Sequence, residues 1–238
     1  MNYSTLFETI KGYLENDFPA STFTDSAGTG TVTLTSTEQI NTFITQAEQR
    51  IFNTVQFPSI RKNVTGSVTT SNKYLSAPDD FLAVYSLAVV DGDGAYSYLL
   101  NKDVNFIRES FPTPTDTGLP AYYALFGPTV SGSTISNELS FLLGPTPDAN
   151  YVVELHYYYY PQSITTAASG QTWLGDNFDS VLLYGSLVEG YTFMKGESDL
   201  ITAYNAKYME ALSMAKRLGD GMERQDAYRS GQYRQKVT

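Results

Sequence analysis

Residues 173–218, WLGDNFDSVLLYGSLVEGYTFMKGESDLITAYNAKYMEALSMAKRL, decide how this chain folds. The first half carries Phe178, Val181, Leu182, Leu183, Leu187, Val188, Phe193 and Met194. That is more than one apolar stripe, so the helix it predicts is buried on most sides. Gly185, Ser186 and Gly190 leave a notch on it for close inter-helix packing. Asp176 suits its N-cap with Asp179 at N3, and Gly196 is placed to end it after Lys195. A second helix starts near Ser198, with Leu200, Tyr204, Tyr208, Ala211, Leu212, Ala215 and Leu218 on one stripe. Gly219-Asp220-Gly221 then breaks the pattern, and MERQDAYRSGQYRQKVT follows with almost no apolar periodicity.

The N-terminal segment supplies matching helices. Residues 4–18 place Leu6, Phe7, Ile10, Tyr13, Leu14 and Phe18 on one face, with Pro19 as a stop. A Ser/Thr/Gly-rich stretch, 20–35, reads as a loop or a short strand at 31–35. Gly28-Thr29-Gly30 lacks the strand, lysine and helix of a phosphate loop and reads as a turn. Ser36 and Gln39 form a capping box for a helix bearing Ile40, Phe43, Ile44, Ala47, Ile51 and Val55. Two helices at each end of the chain can close a bundle.

Between them the period changes to two. Strand-like runs lie at 64–70, 73–78, 83–90, 95–100, 122–126, 138–143 and 151–160, with a short helix at 102–111. Asp91-Gly92-Asp93-Gly94 reads as a hairpin connection, since no glutamate follows where a calcium loop would need it. The fold class expected is α+β: a helical bundle of N- and C-terminal helices, an inserted antiparallel β-sandwich or barrel-like domain, and an extended C-terminal tail. The corresponding parts are 1–60 with 162–218, 61–161, and 219–238.

Composition narrows the chemistry. The 238 residues suit one or two domains. There is no cysteine, which excludes disulfides, thiol nucleophiles and cysteine-ligated metals. The single histidine, His156, lies in a strand-like run and rules out a multi-histidine metal site. Asp79-Asp80 follows Pro78 in a turn, where acidic residues are common. No catalytic, cofactor or metal site is expected, and neither is an enzyme. No apolar run is long enough for a membrane span, and the first 17 residues do not resemble a signal peptide.

Charge is unevenly spread. The chain has a formal charge of −10, yet from Lys216 onward six basic residues face three acidic ones. The acidic remainder argues against general nucleic-acid binding. Tyr228-Arg229 and Tyr233-Arg234 repeat at a spacing of five in that basic end. Arginine and aromatic rings are enriched where protein surfaces bind tightly, so the segment is either a frayed terminus or a docking element.

Several stretches in order resemble the head-to-tail adaptor proteins of tailed bacteriophages, of the tail tubular protein A-like kind. They are KYLSAPDDFL at 73–82, LLGPTPDANY at 142–151, ELHYYYYP at 154–161, WLGD at 173–176, LLYGSLVEGYTFMKGESDL at 182–200, and Asp226-Ala227-Tyr228-Arg229. The resemblance covers roughly residues 73 to 229 and carries no catalytic signature. It implies a structural virion protein of the neck, assembled in the host cytoplasm as a homo-oligomer ring of twelve beneath the portal protein. DNA passes through the lumen without sequence-specific binding, and the far face meets the tail or nozzle protein. Carried over here, Arg217, Arg224, Tyr228, Arg229, Tyr233, Arg234 and Lys236 are the portal-binding residues. The alternative is a β-sandwich that binds a glycan through its many tyrosines.

Overall fold

The computed structural model describes the chain except residues 25–29, 56, 114, 128, 132–133, 138 and 235–238; of 129–131, 134–137 and 220–234 it describes the backbone. In chain order the elements are α1 (Tyr3–Leu14), β1 (Ser21–Thr24), β2 (Thr31–Leu34) and α2 (Ser36–Thr54). Then come β3 (Arg61–Val68), β4 (Tyr74–Ser76), β5 (Ala83–Val90), β6 (Tyr96–Tyr98), β7 (Leu100–Asn101) and α3 (Val104–Ser110). The strands β8 (Tyr122–Phe126), β9 (Thr129–Ser131), β10 (Thr134–Asn137), β11 (Ser140–Gly144) and β12 (Tyr151–Tyr158) follow. The chain ends in α4 (Trp173–Asn177), α5 (Asp179–Phe193) and α6 (Ser198–Arg234). It forms an α+β protein of two compact units: Met1–Ser59 with Pro161–Thr238, and Ile60–Tyr160.

In the first unit α5 packs on α1, α2, α4 and α6. It buries Val181, Leu182, Leu183, Leu187 and Val188 against Leu6, Ile10 and Leu14 of α1, Ile40, Phe43, Ile44, Ala47 and Ile51 of α2, and Tyr208, Leu212 and Ala215 of α6. Each large aliphatic side chain so buried contributes about 1.5–3 kcal/mol.

Local chemistry shifts several boundaries. The capping box of α2 uses Thr35 and Glu38, not Ser36 and Gln39. The hydroxyl of Ser36 instead donates to the Asp17 carbonyl at 2.7 Å, and buried Gln39 donates to the carbonyls of Pro19 and Leu34, each at 3.1 Å. Helix α1 stops at Leu14, short of Phe18, because Glu15 turns left-handed at φ 49°. Phe18 stays in the core through its ring contacts with Phe43 and Phe193. Asp176 caps nothing: Thr172 caps α4, accepting from the Gly175 amide at 3.2 Å, and Phe178 separates α4 from α5. The three rings of Phe57, Trp173 and Phe178 pack together there at 5.0–5.5 Å. Helix α5 ends on Lys195 (φ 55°), whose amide donates to Thr192, while Gly196 donates to Tyr191. That is a Schellman pattern with lysine at the left-handed position. Gly196 is required beside it, since a Cβ there would stand 2.4 Å from the Tyr191 ring.

The largest correction concerns the C-terminus. It is not an extended tail: α6 runs 37 residues without interruption to Arg234. Gly219 and Gly221 each cost about 1 kcal/mol relative to alanine in a helix, and the following Glu, Arg, Gln and Ala residues favour one. The expected stripe on α6 is also narrower, because Leu200 and Leu218 remain 40% and 44% exposed.

The second unit holds two four-stranded sheets, ordered β3-β12-β5-β6 and β4-β11-β8-β7. Strand β12 alternates, turning Val153, Leu155 and Tyr157 inward. They meet Leu87, Val89 and Val68 from their own sheet and Tyr123, Phe141 and Leu143 from the other, with Phe81 and Leu99, in one core. The sheets are antiparallel except for β7–β8, a two-residue parallel pairing. Helix α3, capped by Asp103, lays Ile107 on Ala124 and Leu142. Two separate hairpins, β1–β2 and β9–β10, complete the strands.

Candidate functional site

The predicted portal-binding residues lie along one helix. Arg217, in the last part of α6 whose side chains are described, is exposed. The helical period puts positions 217, 224 and 228 on one face and 229 and 233 on another about 140° away, with 234 on neither. The Tyr-Arg repeats at a spacing of five therefore do not stack on a single face. Lys236 lies outside the described residues.

The notch residues sit where α5 meets its neighbours. A Cβ on Gly185 would stand 3.1 Å from the Ala47 Cβ and 3.2 Å from the Tyr208 ring. On Gly190 it would stand 2.6 Å from Leu14 Cδ1. Ser186 is fully buried, and its hydroxyl donates to the Leu182 carbonyl at 2.8 Å. So Gly185 admits α2 and α6, whereas Gly190 admits α1 and α2. Arg50 and Glu189 form an ion pair at the rim of this packing.

Glu48 was hidden from sequence reasoning inside an apolar helical stripe. It is 3% exposed, and its Oε1 accepts from the Ile164 amide at 2.9 Å. Burial raises its pKa above the ordinary carboxylate value, against the opposing pull of the Ile164 amide and the Ser163 hydroxyl.

In the β unit two polar groups stand out. Asp80 accepts from the Tyr157 hydroxyl and from Lys62, each at 2.7 Å. Partial burial acts to raise the Asp80 pKa, but these two donors outweigh it and hold the carboxyl below its ordinary value. Asp80 thus anchors a buried tyrosine, a role the turn reading of Asp79-Asp80 missed. On the outer face of the β3-β12-β5-β6 sheet, Asn63 donates to Glu154 at 2.7 Å, and Ser86 Oγ lies 3.3 Å from His156 Nδ1. His156 Nε2 is 3.7 Å from Glu154, too long for a hydrogen bond. Exposed Tyr96 and Tyr98 lie on the same sheet, and Arg61 stacks over Tyr85 at 4.8 Å. Asp91 is committed to its own turn, where its Oδ1 accepts from the amides of Asp93 and Ala95. Among the described residues, no group of three or more His, Asp or Glu is placed to hold a metal ion, and no helix is long and apolar enough to cross a membrane.

A search of curated proteins returns no match to the chain. A family model does match: the one described as SU10 adaptor protein aligns with residues 1–235. That span takes in both compact units and α6 to its end, and on it the chain belongs to the SU10 adaptor protein family, whose members are structural adaptors of phages.

Proposed function

We propose that this chain is a head-to-tail adaptor of the phage neck, assembled in the host cytoplasm as a homo-oligomer ring beneath the portal protein. In this reading the helical unit is a bundle, and the β unit is an inserted sandwich. The last turns of α6 dock on the portal, and the opposite side of the ring receives the tail or nozzle protein. A twelvefold ring leaves a lumen through which DNA passes without sequence-specific contacts. The observation that carries the reading is α6 itself. It continues about four turns past Gly219, and those turns hold the basic and tyrosine positions 224, 228, 229, 233 and 234. A preformed helix loses little conformational entropy on docking, so a segment without its own core gains affinity by being helical beforehand.

The test is a pull-down on purified portal with the chain ended after Leu218. The expected result is a folded protein, with an unchanged melting temperature, that no longer binds portal. Retained binding overturns the assignment of the final turns.

A second reading, a glycan-binding face, is favoured by Tyr96 and Tyr98 beside Glu154 and Asn63 on one exposed sheet. Saturable glycan binding that Tyr98→Ala abolishes would support it, whereas no signal across a glycan panel would remove it.

A further inference from the structure

Among the described residues, the hairpin β1–β2 pairs with no other strand. Its register sets Phe23 opposite Val32 and Ser21 opposite Leu34, so the three apolar side chains share one face. Threonines 22, 24, 31 and 33 occupy the other. Phe23 and Val32 are 55% and 53% exposed, and Leu34 is 37% exposed. A lone two-stranded ribbon of four-residue strands is marginally stable in water, and an uncovered apolar face adds to its cost.

The β unit carries a complementary feature. Strands β3 and β4 are each the edge of a sheet. Between them opens a cleft of about 290 Å³, lined mainly by Val64, Leu75, Ala77, Pro78, Val153 and Leu155. None of the described residues that line it is charged. Gly66 also lines it, and nothing stands within 4 Å of where its Cβ would be. Among the described residues no strand pairs with the outer side of β3, which suits the addition of another strand.

We propose that the β1–β2 hairpin of one copy seats Phe23 and Val32 in the β3–β4 cleft of the next copy. This rests on the ring reading above and names the contact that builds the ring. Electrostatics favours this occupant. In a chain of net charge −10, the strands of the arm and the described lining of the cleft are both uncharged, so two acidic copies would meet through uncharged residues. Each copy offers one arm, from the helical unit, and one cleft, from the β unit, so the contact joins two different patches. That makes the contact heterologous, the kind that closes into a ring when its rotation permits.

The test uses the full chain, with and without portal, and reads assembly mass by mass photometry. Phe23→Asp and Gly66→Phe should each weaken self-association by about tenfold or more. Gly66→Phe fills the cleft from within its own copy, so its melting temperature should hold or rise while assembly is lost. Because the chain has no cysteine, mixing Phe23→Cys chains with Leu75→Cys chains should give oxidised dimers that neither variant forms alone. Unaltered assembly in both blocking variants, with no mixed dimer, overturns the arm contact and leaves the ring reading standing. If the wild type stays monomeric even with portal, both are overturned. Normal self-assembly of Phe23→Asp with lost portal binding would assign the arm to the portal and overturn the contact between copies.

Discussion

Tyr157 is 1% exposed, yet its hydroxyl reaches the partly exposed carboxylate of Asp80. Replacing it with phenylalanine keeps the core volume and removes one charge-assisted bond, for an expected loss of about 1 kcal/mol at neutral pH. The sign of the pH dependence follows from Asp80, whose folded pKa is depressed. Its contribution is fully present above the unfolded value of about 3.9 and is lost as pH falls through the lower folded value. Urea unfolding of wild type and Tyr157→Phe should therefore differ at pH 7 and converge below about pH 4. Glu48 acts in the opposite sense. Its folded pKa is raised, so its buried charge costs stability at neutral pH and that cost falls away as the folded protein takes up the proton.

Among the elements, α6 separates a local sequence rule from its context. Gly219 and Gly221 look like a break when each is judged singly, but the sequence around them favours helix enough to carry it through. Gly221→Ala should then raise the stability of the last turns by about 1 kcal/mol, seen as slower amide exchange over residues 222–234. Faster exchange would contradict a continuous helix. The apolar periods of α2 and β12 were legible because each buries one face, and burial leaves a period in the sequence, while α5 was legible by being apolar on most sides. The hairpins β1–β2 and β9–β10 were not, beyond a possible strand at 31–35, since runs of four residues or fewer are too short for alternation to separate strand from loop. At the break, Phe178 packs on Phe57, and a contact between residues so far apart in sequence leaves no local mark. The candidate docking residues were legible as a basic, tyrosine-bearing set. Their division over two helix faces was not, because it follows from the helix that the glycines concealed.

For the molecule as a whole, charge sets two opposed expectations. Copies that each carry −10 repel one another, and salt screens that repulsion within a Debye length of about 8 Å at physiological strength. On the proposed reading, self-assembly should tighten as salt rises from roughly 50 to 300 mM, while docking through the basic end of α6 weakens. Sedimentation of the chain alone and of its mixture with portal across that range would separate the two. The split composition of the helical unit, residues 1–59 with 161–238, also bears on how the protein is made. During synthesis Leu6, Ile10, Phe43 and Ile44 leave the ribosome well before α5 exists to cover them. At about 5–20 residues per second, some 5–20 s pass while the β unit is translated. The β unit can fold as it emerges, but the first helices wait as an apolar, uncovered pair. A nascent chain stalled once residue 160 has cleared the ribosome, with α5 still inside it, should therefore hold a folded β unit and a segment that chaperones still recognise.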